Sequence, residues 1–181
     1  MSTPNRREFM QYTGGATVGA FLGLPPLEAE LAALAPEEID RSTPSVYLRL
    51  DGIPGDATAT GHESEIRCLS CRWGIDGGEV RGGRQKIRKP HRGHVTVLKA
   101  IDKATPVLYE TAASDEQIRS GRATLLRTTS DGRTEPYCVL ELHDITVAAL
   151  ETGQHGKENF ERCSLTPGAD GEKFEVKSVG K

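Results

Sequence analysis

Long apolar runs are absent from this chain, which excludes a membrane-spanning helix. The longest weakly apolar stretch, Thr13–Leu24, holds 12 residues, four of them glycine, whereas a helix needs ~20 to cross the hydrocarbon core. Charge of one sign is not in excess either: 23 Lys and Arg stand against 26 Asp and Glu, for a net of −3. That balance leaves no electrostatic footprint for nucleic acid or an anionic membrane. Catalytic signatures are missing too. No G-x-S-x-G, P-loop or glycine-rich dinucleotide fingerprint occurs. His62, His91, His94, His143 and His155 form no H-x-x-x-H pair on an expected helix, so no metal site is indicated. The expectation is a protein that is not an enzyme and takes no cofactor and no metal.

What is present is a β pattern. Aromatics are only 5% of the chain, so its core has to be built from aliphatic side chains. Its 20 glycines fall between short runs of Val, Ile, Leu and Thr, the composition of many strands joined by turns. The length fits one domain. Val46, Leu48 and Leu50 alternate with Tyr47, Arg49 and Asp51, the period of a half-buried strand. Further strands are expected over His62–Gly74, His94–Ala100, Arg122–Thr129, Thr134–Ile145, Thr146–Glu151, Asn159–Leu165 and Lys173–Val179. Asp131-Gly132 and Gly168–Gly171 mark hairpins. One helix is expected, with Thr105 as N-cap, Pro106 at the first helical position, and an end near Ser114. Leu108 and Ala112 would share its buried face. Seven or eight strands and one helix favour a closed or nearly closed barrel. Ile75–Gly93, glycine-rich and carrying Arg81, Arg84, Lys86, Arg88, Lys89 and Arg92, reads as a long basic loop.

Residues 1–35 read as an address. Arg6-Arg7 is followed by Phe9 and Met10, then by the weak apolar stretch, the layout of an export signal. Asn5–Met10 resembles the twin-arginine motif at Arg6, Arg7 and Phe9. The implied partner is the twin-arginine translocase, and the implied location is the periplasm, cell surface or medium. Ala33-Leu34-Ala35 fits a cleavage site, but Pro36 follows it directly, so the segment is cut elsewhere or retained. Residues 36–44 are polar, bounded by prolines and without period, a linker. The folded domain runs from 45 to 181.

Four cysteines remain to be placed. Cys68 and Cys71 form a C-x-x-C, but on a regular strand positions three apart face opposite sides at a separation of ~10 Å, too far for a bridge. A strand bulge would alter that. Arg72 stands where a haem site needs histidine. Cys138 and Cys163 fall on other strands and read as buried apolar groups or, after export, as a candidate disulfide.

The folded part resembles the Hcp family of type VI secretion. Tyr47–Gly55 (YLRLDGIPG) is similar to that family's first strand and turn, and Ile66–Gly74 to its second strand, which ends in Trp-Gly. Ile101–Ala113 (IDKATPVLYETAA) resembles the family's Asp-Lys-Ala-Ser/Thr-Pro-x-Leu helix start, Glu141–Val147 its l-x-D-v-x-v strand, and Asn159-Phe160-Glu161 its Glu-x-Phe region. The resemblance implies a β-barrel of two sheets with one flanking helix. It implies hexameric rings stacked head-to-tail into a hollow tube that holds secreted cargo or effector proteins, with the basic loop joining the rings. An export signal departs from the family pattern, because the usual tube assembles in the cytoplasm. The expectation is therefore a self-assembling structural subunit outside the cytoplasm; the alternative is an exported carrier of the same fold that forms no long tubes.

Overall fold

The computed structural model describes residues 26–32, 46–76, 79–82, 85–88, 92–168 and 174–178. These form helix α1 (Leu27–Ala32), strands β1 (Val46–Leu50), β2 (Ile66–Asp76), β3 (Glu79–Gly82), β4 (Gln85–Arg88) and β5 (Arg92–Ala100), helix α2 (Ala104–Ser114), and strands β6 (Ile118–Thr128), β7 (Thr134–His155), β8 (Glu158–Thr166) and β9 (Phe174–Ser178).

The fold is mainly β. Neighbouring strands run β6-β1-β2-β5-β8-β7-β9, and a further β6–β7 pairing joins the ends of the first six into a closed barrel. Closure satisfies the backbone groups that an open sheet would leave at its edges. β9 lies outside the ring on β7, and β3–β4 form a separate two-stranded sheet. The stretch expected as a plain basic loop thus contains strands: β2 extends to Asp76, opposite Arg92 of β5, and β3–β4 continue beyond it. Glycines and alternating charge obscured a hairpin whose residues have little apolar content to betray a period.

Alternation fills the barrel. Val46, Leu48 and Leu50 of β1, Val95 and Val97 of β5, and Leu140 and Leu142 of β7 all belong to one buried cluster. Tyr47 is also buried, stacked on His62 with ring centroids 4.0 Å apart. That stack, and the His62–Glu65 contact at 2.7 Å, fold residues 62–65 into a turn, so β2 starts at Ile66 and not at His62. Thr129 and Arg133 pair across the Asp131-Gly132 turn, where Gly132 takes φ 78°, as such a hairpin requires. Residues 169–171 of the second expected hairpin, Gly168–Gly171, lie outside the described residues.

Two expected strands are one. β7 runs unbroken through 22 residues. Residues 118–128 of β6 pair with it up to Ile145, and β8 takes over from Thr146. At the changeover Asp144 adopts φ 49°, a left-handed conformation that Asp tolerates better than most residues. The Asp of the Glu141–Val147 motif is therefore the pivot that lets a single strand serve both walls.

α2 begins earlier than expected. Its N-cap is Lys103, without a side-chain cap bond, so Thr105 and Pro106 are its second and third residues. Proline still costs nothing there, because the first-turn N–H groups lack helical partners. The end at Ser114 and the burial of Leu108 and Ala112 agree with expectation.

Candidate functional site

The β5–β8 ladder carries a buried cation on each face. Lys99 pairs in register with Glu161, and Leu98 with Arg162; alternation sends the two pairs to opposite sides. Lys99 is fully buried, on the side of Val95 and Val97. Its ammonium donates to Asp102 Oδ1 (2.8 Å), Thr105 Oγ1 (3.0 Å) and the carbonyl of Ala100 (3.0 Å). Glu161 Oε1 is 3.2 Å away as an ion pair. Asp102 Oδ1 also accepts from the amide of Ala104 (3.0 Å), and Thr105 Oγ1 from that of Asp102 (3.2 Å). Asp102 thus makes an Asx turn that starts the helix. This node bolts α2 to the barrel wall.

Burial opposes charge on Lys99, but the Asp102 hydrogen bond and the Glu161 and Asp102 carboxylates outweigh it and raise its pKa. Burial pushes Glu161 up despite Lys99. The node is a structural clamp: Lys99 is held in its charged form and has no open face from which to reach a substrate.

On the outer face, Arg162 is 2% exposed. Its Nε donates to Glu151 Oε2 (2.8 Å), a second nitrogen also reaches Glu151, and a third donates to Glu30 Oε2 of α1 (2.9 Å). Leu27 and Leu31 of α1 form a second buried cluster with Leu98 and Phe160, and Leu69 of β2 packs against it. Sequence reasoning placed these α1 residues in the export segment and missed the contact. The Leu27/Leu31 spacing of four, with Glu30 beside it, was the available signal.

The cysteines change sides. A register shift between Cys68 and Ser70 shows that β2 is not regular there. Leu69 faces outward to the α1 cluster as alternation requires, and the bulge turns Cys71 back to the barrel core that Cys68 meets. All four cysteines are free thiols, and Cys138 and Cys163 lie in that same core. Burial raises Cys71 to about 12 and pushes Cys68 and Cys163 well above the ordinary thiol range, so they are inert side chains in this state. Among the described residues no group of three or more His, Cys, Asp or Glu could hold a metal.

A family model described as type VI secretion system effector, Hcp, matches residues 47–168. The chain belongs to the Hcp family. Solved structures agree on the fold. Hcp1 from Salmonella typhimurium is similar at a TM-score of 0.58 and 23% identity, over 75% of this chain and 85% of that one. Hcp1 from E. coli EAEC 042 is similar at 0.54 and 18%, over 75% and 99%. No individually curated protein matches by sequence.

In this Hcp chain the described residues among those expected to join rings are spread over β3, β4 and the start of β5. Arg81 is on β3, Lys86 and Arg88 on β4, and Arg92 opens β5. Arg84 and Lys89 lie outside the described residues, as do Arg6, Arg7 and Phe9 of the expected export signal. Arg81 pairs in register with Lys86. Among the described residues no helix is long and apolar enough to cross a membrane.

Proposed function

We propose that this Hcp-family protein is a structural subunit, exported by the twin-arginine route, that forms rings stacking head-to-tail into a hollow tube outside the cytoplasm. The supporting observation is where the closed barrel leaves strands over. Among the described residues β9 pairs with β7 alone, and the β3–β4 sheet with no other strand. A two-stranded sheet is marginal by itself in water, and an unpaired edge is a template for another chain. A tube needs two contacts, one that closes a ring and one that stacks rings. The β9 edge supplies the lateral contact, and the basic arm, from Arg81 to Arg92, the stacking contact against carboxylates of the next ring. The lumen would take secreted cargo.

The test is negative-stain electron microscopy of the full chain recovered outside the cytoplasm. The expected result is rings and stacks of rings. Isolated rings alone would favour a carrier that does not polymerise. Monodisperse monomers would overturn the assembly reading, and protein found wholly in the cytoplasm the export reading.

A further inference from the structure

α1 has six residues, fewer than a helix needs to persist in water; its conformation therefore depends on what it lies against. It lies against a fitted groove. Leu69, Leu98 and Phe160 form the apolar floor with Leu27 and Leu31 seated on it. Gly153 of β7 leaves room: a Cβ there would stand 3.0 Å from both Leu27 Cδ2 and Leu31 Cδ1, closer than packed carbons sit. Polar ends fit as well. Glu30 bridges Arg162 at 2.9 Å and Arg72 of β2 at 3.3 Å. Without α1, Leu98 and Phe160 would face water and Arg162 would lose the Glu30 carboxylate.

We infer that this wall of the barrel is a docking groove for an acidic amphipathic helix and that Leu27–Ala32 is its resident occupant, retained in the mature protein. Processing then falls before Pro26 and not after Ala35, and the folded domain begins at residue 26. The statement about processing rests on the export reading above; the docking statement does not.

Two measurements on the full chain test the pair. In hydrogen exchange, the Ala29 and Glu30 amides, which donate to the Pro26 carbonyl at 3.0 and 3.1 Å, should exchange far more slowly than in an unstructured peptide. Glu30→Gln, which weakens a charge-assisted bond, should speed them by roughly tenfold. Gly153→Val should abolish their protection while the amides of β5 and β6 stay protected. Exchange at the unstructured rate in the wild type, or no response to Glu30→Gln, overturns the docking. Mass spectrometry then reads the N-terminus of chain recovered outside the cytoplasm. A terminus at or before Pro26 is expected; one at Pro36 overturns retention. If no chain is exported, the processing statement falls with the export reading, while the exchange result still decides the docking.

Discussion

The two buried cations of the β5–β8 ladder solve one problem by opposite routes. Lys99 draws its partners from nearby: Ala100, Asp102 and Thr105 lie within six residues, and Glu161 faces it across the ladder. Arg162 is held by Glu151 of the adjacent strand and by Glu30, 132 residues away in sequence. The first node needs only β5, the start of α2 and β8. The second also needs the N-terminal segment. A buried charge without partners is costly, so each node acts as a lock: the inner one on the helix, the outer one on the segment ahead of the domain.

Breaking the inner lock should have the largest effect. Lys99→Met leaves Glu161 and Asp102 without their cation and is expected to cost about 3–5 kcal/mol, read from guanidinium chloride unfolding. Lys99→Met/Glu161→Met should recover part of that loss, since it removes the fully buried carboxylate together with the cation and leaves only Asp102 uncompensated. Alkali should open the same lock without mutation. Folding raises the Lys99 pKa above its ordinary 10.5, so the folded chain holds that proton more tightly than the unfolded one. The resulting stability is full below 10.5 and is lost as pH rises through the folded value. Lys99→Met should flatten that part of the pH–stability curve, whereas Glu30→Gln should leave it unchanged.

Opening the outer lock should cost less, because Arg162 keeps Glu151. Glu30→Gln is expected to lose roughly 1–3 kcal/mol. Since the nodes occupy opposite faces of the ladder, Lys99→Met and Glu30→Gln should add to within about 0.5 kcal/mol; a larger coupling would show that the two locks are one network. The smallest effect belongs to the exposed Arg127–Glu135 pair at 2.7 Å. Arg127→Gln should fall within the ~0.2–1 kcal/mol of such surface pairs, a baseline against which both locks are measured.

The same contrast explains what was legible in the sequence. Ile101–Ala113 was legible as a helix start because its signals are local, and Asp102 and Thr105 of the inner node fall within it; the burial of Lys99 against Glu161 across the ladder was not read. Alternation in β1 and the Asp131-Gly132 turn gave the barrel walls, because strand and hairpin chemistry are local. Three features were hidden. Asp144 carries a backbone conformation that makes two expected strands one, and no hydrophobic pattern records a φ angle. The bulge after Cys68 reverses the facing of Cys71, which alternation alone assigns to the wrong side. Glu30 sits in a stretch whose composition resembles a leader, so its long-range partner Arg162 left no trace in spacing. The arm from Arg81 to Arg92 was visible as charge, but its strands carry too few apolar residues to show a period.

Self-association is the central claim, and sedimentation velocity of the full chain, recovered outside the cytoplasm and run over a range of concentrations, tests it most directly. The expected result is a discrete ring species in equilibrium with heavier stacks, the stacks shrinking as salt screens the basic arm. A single monomer boundary at every concentration and ionic strength would contradict it.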